Sequence, residues 1–235
     1  MSSSPGHDGA DTPAPAWADR AADRSRSVQR SRARSVEQAQ AIVAAARRLL
    51  QADGAALTTQ ELAKEAGIAL QTFYRHFPSK DELLLAVFED VITERTAELE
   101  AAARDLPDPV ERLHFYIVRV LRSVSENADF GPRFVTAEHW RLHQRFPAEM
   151  ERANQPFAVL IERELREAEA AGLLRPNDPA GDAWFAMKLV MSVFHHFAFT
   201  PARDSGDAPE RLWNFCLAAF GGLTRVAPAG SPEDT

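Results

Sequence analysis

The chain has a single cysteine, Cys216, so no internal disulfide can form and stability must come from packing. Trp213, Phe215 and Leu217 surround that thiol in sequence and mark it as a small core residue, with no nearby cation to activate it. Long hydrophobic runs are also missing. The longest candidate for a membrane span, Ala183 to Phe199, is interrupted by Lys188, His195 and His196. No apolar N-terminal run resembles a leader, so a cytoplasmic protein without a membrane partner is expected. Runs alternating between apolar and polar residues and rich in Val, Ile and Thr are absent, which excludes a sheet protein. There is no glycine-rich phosphate loop, nucleophile elbow or metal-ligand set, so the expectation is no enzyme, no cofactor and no metal. His139 and His143 stand four apart, a spacing that can hold a metal on one helix face. Two histidines without further ligands point instead to hydrogen bonding with a ligand or to plain surface histidines.

At 235 residues the chain can build a small head and a larger body. The net charge of −7 is unevenly shared. Residues 20–80 hold eleven basic and five acidic side chains, a net +6, while residues 81–235 hold sixteen and twenty-six, a net −10. A basic head on an acidic body suggests that one end meets a polyanion.

Helix starts are well marked. Ser35–Gln38, Thr58–Glu61 and Ser79–Glu82 each fit a capping box, in which a hydroxyl satisfies an amide three residues on and Glu or Gln reaches back. Asp108, Asp178 and Asp207 precede prolines placed to open a helix. The pattern predicts an all-α fold of about nine helices. The first four fall near 36–51, 59–66, 70–76 and 80–104, and the rest near 109–126, 132–145, 148–171, 179–199 and 208–226. Pro156, inside the seventh, predicts a kink or break near Asn154. Residues 1–34, rich in Ser, Pro and Ala and then in Arg, read as a disordered arm, and 227–235 as a disordered tail. Residues 35–82 form the head and 83–226 the body. Arg30, Arg32 and Arg34 of the arm either enter a narrow minor groove or only solubilise the chain.

Two short helices joined through Gly67 form a helix-turn-helix, whose second helix suits a DNA major groove. Gln71, Thr72, Tyr74, Arg75 and His76 are its polar side chains, with Phe73 and Phe77 left for a small core. Glutamine can read adenine and arginine guanine through paired hydrogen bonds.

The stretches Leu57–Ile68 (LTTQELAKEAGI) and Thr72–Leu84 (TFYRHFPSKDELL) closely resemble the DNA-binding domain of the tetracycline-repressor (TetR) family. The resemblance implies a homodimer that binds a palindromic double-stranded operator and releases it when a small-molecule effector enters the body. It also implies that Thr59, Thr72, Tyr74 and Lys80 contact phosphate, with His76 beside them. Leu70, Gln71 and Arg75 then occupy the base-facing surface. Two positions depart from the family pattern: Ala69 stands where a capping serine is common, and Gln71 where small residues are common.

In the body, large apolar side chains fit an ordinary core, and the resemblance implies that some of helices five to eight also line a ligand pocket. The candidates are Tyr116, Phe134, His139, Trp140, His143, Trp184, Met187 and Met191. Helix 179–199 and, within the last helix, Leu212 to Leu223 are apolar around most of their surface, which suits a two-fold four-helix dimer interface. His195 and His196 are adjacent, so one faces the core and the other a partner. The leading expectation is a ligand-responsive repressor. The alternative is a helical binding or scaffold protein with a head that grips DNA without reading it.

Overall fold

The computed structural model describes residues 16–53, 58–126, 130–199 and 206–222, with side chains at 28–50, 58–124, 136–199 and 206–222. Over the described residues it is all helical. The nine helices are α1 (Ala16–Asp53), α2 (Thr59–Glu65), α3 (Leu70–His76), α4 (Lys80–Ala102), α5 (Pro109–Glu126), α6 (Phe130–Arg145), α7 (Pro147–Ala170), α8 (Pro179–Phe197) and α9 (Ala208–Ala219). None is long and apolar enough to cross a membrane.

The largest departure from the sequence reading is α1. The sequence pattern starts it near Val36, after a Ser35 cap and a disordered arm, yet it begins at Ala16 and runs for 38 residues. No proline or glycine occurs between Ala16 and Asp53, and alanine, arginine and glutamine are strong helix formers. Ser35 is therefore an interior residue rather than a cap. The expected tail at 227–235 and residues 1–15 of the arm lie outside the described residues.

The other starts follow local chemistry. The Thr58 hydroxyl accepts from the Glu61 amide at 3.2 Å, and the Thr58 amide donates to the Glu61 carboxylate at 3.0 Å. Gly67, at φ +65°, supplies the left-handed residue that turns α2 into α3. Ser79 caps α4 through the Glu82 amide at 3.2 Å. Asp108 accepts from the Val110 and Glu111 amides at 2.8 and 2.9 Å, and Asp178 from the Ala180 amide at 3.3 Å. Asp207 makes no such bond.

Ile42, Ala46 and Leu50 of α1 close over Leu62, Phe73, Phe77, Leu83 and Leu84 to form the head core. That core is continuous through α4 with the body. There α7 packs against α4, α5 and α8. Of the kink or break expected near Asn154, the break is absent: α7 runs as one helix from Pro147 to Ala170 with Pro156 inside it. Met150, Ala153 and Asn154 are buried before the proline, and Phe157, Leu160, Ile161 and Leu165 after it. An interior proline costs about 3 kcal/mol, and each large apolar side chain buried returns about 1.5–3 kcal/mol, so packing wins.

Two ion networks tie the helices together. Glu164 of α7 is 0% exposed and takes the Arg112 Nε of α5 at 2.7 Å and the Arg163 Nη2 at 2.9 Å, with the Tyr116 hydroxyl at 3.4 Å. Asp81, in the first turn of α4, is bound by both Arg141 and Arg145 of α6. That pairing locks the start of the connecting helix to the body.

Candidate nucleic-acid interface and ligand cavity

The helix-turn-helix gathers the predicted DNA residues at one end of the molecule. Leu70, Gln71, Tyr74 and Arg75 are exposed on α3, while Thr72 and His76 are half-buried. The α3 start has no side-chain cap, because Ala69 carries no hydroxyl. Thr59, at the start of α2, places its Oγ1 3.4 Å from the Tyr74 hydroxyl, and the Tyr74 ring stands edge-on to Phe73 at 5.4 Å. Lys80 opens α4, half-buried beside this surface. Hydroxyls and a lysine in this arrangement can take phosphate oxygens, and the exposed amide and guanidinium can reach base edges.

Gln38 of α1 was not singled out from the sequence. Its Oε1 accepts from the Arg75 Nη2 at 3.2 Å and lies 3.2 Å from the His76 Nε2. It therefore holds two of the predicted DNA residues in place. Local pattern gives no sign of this role, because 37 residues separate Gln38 from Arg75. Arg30, Arg32 and Arg34 are exposed on α1, further from the core.

The body holds a partly enclosed cavity of about 260 Å³ among α4, α5, α7 and α8. Val91, Ile92, Leu99, Phe115, Phe157 and Phe194 supply its apolar walls. Thr96, Ser123 and the buried Asn154 provide hydrogen-bonding groups, with Arg95, Glu98 and Arg119 also lining it. Of the predicted ligand residues, only Met191 lines this cavity.

The structure disperses the remaining candidates. Tyr116 is wholly buried against Glu164. Met187 is buried in the core, and Trp140 is exposed. The Trp184 Nε1 donates to Glu151 at 2.8 Å, with the Lys188 amine 5.2 Å from its ring. Phe134 lies outside the residues whose side chains are described. The lining from α4 was missed because this helix reads as a connector, its second half interspersing Glu94, Arg95, Glu98 and Glu100 among the apolar residues.

His139 and His143 stack at 5.8 Å, and His139 also meets His195 of α8 at 4.4 Å. The His195 Nδ1 pairs with the Thr136 hydroxyl at 2.9 Å. Among the described residues, no group of three or more His, Cys, Asp or Glu is arranged to hold a metal. Burial pushes both His139 and His195 down to about 4, with His143 and Lys188 adding to the effect on His139 and His139 to that on His195. The unfolded chain takes up these protons near pH 6.5, whereas the folded chain takes them up only near 4. Their contribution to stability is therefore complete above about pH 6.5 and declines as the pH falls toward 4. Urea midpoints compared at about pH 7 and pH 5 are expected to drop more in the parent than in a His139→Leu/His195→Leu double variant. Equal drops would rule this out.

Phe185 and Leu189 of α8, Phe199 just beyond its end, and Phe215 of α9 are exposed to solvent. A shallow groove beside them is lined by Val193, His196, Phe197, Arg211 and Leu212. His195 thus faces the core, and its neighbour His196 faces this surface.

A family model described as bacterial regulatory proteins, tetR family, matches residues 42–87. Over 169 residues the chain is 30% identical to the nucleoid occlusion factor SlmA of Aliivibrio fischeri, an alignment spanning 69% of this chain and 82% of that protein. Among solved structures, RolR in complex with resorcinol is similar with a TM-score of 0.64 at 18% identity, covering 84% of this chain and 98% of its own. FadR of Thermus thermophilus, a repressor solved with lauroyl-CoA, is similar with a TM-score of 0.61 at 23% identity, covering 82% and 99%. At such identities the structural likeness establishes the fold alone.

Proposed function

Because the chain belongs to the tetR family of bacterial regulatory proteins, we propose that this transcriptional regulator is a homodimeric repressor. Its α3 reads a palindromic operator, and a small apolar or aromatic effector releases it. Residues 35–82 carry DNA recognition, and 83–226 carry the effector site and the dimer interface.

The observation that supports this most is the course of α4. Its first residue, Lys80, lies beside the recognition helix, and Val91 to Ala102 form a wall of the cavity. A ligand that displaces the wall moves a helix that ends at the DNA surface. The cavity is at the small end for ligand sites, which favours a compound of one or two rings over a long acyl chain. The exposed aromatic face of α8 and α9 is what a two-fold partner would cover, and two-fold symmetry in the protein matches a palindrome in the DNA.

The test is fluorescence anisotropy with the DNA upstream of its own coding sequence and a scrambled duplex, at two salt concentrations. Resorcinol, other small phenols and lauroyl-CoA are then titrated into the complex. Selective binding with dimer stoichiometry, and release by a phenol rather than by the acyl-CoA, is the expected outcome. Equal affinity for both duplexes, persisting after random-site selection, would favour a head that only grips DNA.

A further inference from the structure

α1 extends well beyond the head it helps to build. Every residue from Val28 to Gln38 is exposed, and among the residues whose side chains are described the first core contacts come at Ala39 and Ile42. Ala16 to Gln38 therefore projects as about 34 Å of helix, at 1.5 Å per residue. From Arg24 to Val36 the sequence has five arginines and no acid. Arg26, Arg30 and Arg34 are spaced four apart and so share one face. Like charges at that spacing destabilise an isolated helix.

Over Ala16 to Gln38 the large apolar residues are Trp17, Val28 and Val36, too few and too far apart to form a seam for another helix. The extension has no continuous apolar stripe with which to dock on a protein core, and its charge calls for a polyanion. Its place of departure matters as much. Gln38, where α1 leaves the head, is bonded to Arg75 and lies beside His76 on the recognition helix.

We propose that the N-terminal extension of α1 is a second DNA contact, a preformed basic rod lying against backbone phosphates that flank the operator half-site. This rests on the regulator reading above. Being helical before binding, the rod loses less conformational entropy on contact than a flexible arm would. It also offsets the −10 of the acidic body, which repels DNA.

The test uses the full chain and its selected operator, in duplexes with long and short flanks. One variant replaces Arg24, Arg26, Arg30, Arg32 and Arg34 with Gln, which removes charge and keeps helix propensity. A second, Ser31→Pro, keeps every charge and breaks the rod. The Gln variant is expected to bind at least about tenfold more weakly at physiological salt. Its salt slope should be shallower by about 3.6 if two phosphate contacts are lost per protomer. It should also lose the parent's preference for long flanks, and Ser31→Pro should share most of the affinity loss.

Parent-like affinity and slope in the Gln variant would overturn the proposal and leave the regulator reading standing. Parent-like binding by Ser31→Pro would show a flexible arm and overturn the rod. A parent that selects no duplex would overturn both readings together. Melting temperatures equal to the parent's are the control, since the substituted positions lie outside the head core.

Discussion

Gln71→Ala is expected to weaken operator binding by about 2–6 kcal/mol, at least some thirtyfold. Gln71 is the second residue of α3 and is exposed. The opening turn of a recognition helix is the part that enters the major groove. A glutamine amide there can bond both N6 and N7 of adenine, a pairing that carries about 1–3 kcal/mol of discrimination. On a palindrome each protomer makes that contact, so one substitution is counted twice. Alanine is the better helix former and Gln71 lies outside the core, so the fold should be unaffected. Anisotropy titrations against the parent operator and against operators changed at one symmetric pair of positions provide the check. The variant should lose its preference at that pair, whereas Lys80→Ala should weaken all sequences alike. A loss below threefold would show that Gln71 does not read a base.

Glu164→Ala should destabilise the body by about 3 kcal/mol or more. Its carboxylate is 0% exposed and neutralises Arg112, which is itself only 18% exposed. Removing the acid leaves a guanidinium partly out of water with only the half-exposed Glu167 and the Leu106 carbonyl as partners, and strips the Tyr116 hydroxyl of its acceptor. Surface pairs such as Arg95–Glu98, with both side chains more than half exposed, should cost under about 1 kcal/mol when broken. A melting temperature lower by about 6–12 °C for Glu164→Ala, against a small change for Glu98→Ala, is the expected contrast. A urea midpoint shift equivalent to less than about 1 kcal/mol would mean that the site rehydrates freely.

What could be read from the sequence, and what could not, follows the range of the interactions. Thr58, Ser79, Asp108 and Asp178 announce helix starts because each satisfies an amide two or three residues away. Gly67 announces the turn because a positive φ is a local demand. The same local logic failed at Ser35, where an equally good box is overridden by helix-forming residues on both sides.

The cavity was harder to foresee because it depends on which faces of four helices converge. Met191 was identified, but Tyr116, equally apolar in sequence, faces Glu164 instead. Gln38 stayed hidden for the same reason, its partners lying on another helix.

Cys216 adds a practical consequence. It is 2% exposed on α9, and burial pushes its thiol up to about 11. While α9 stays packed, that sulfur is both shielded and protonated, and the chain holds no other thiol to compete with it. Its rate of capture by a thiol reagent then counts how often α9 lifts from the body. The helix assigned here to subunit contact thus carries its own clock, which an effector or an operator would be seen to slow or hasten.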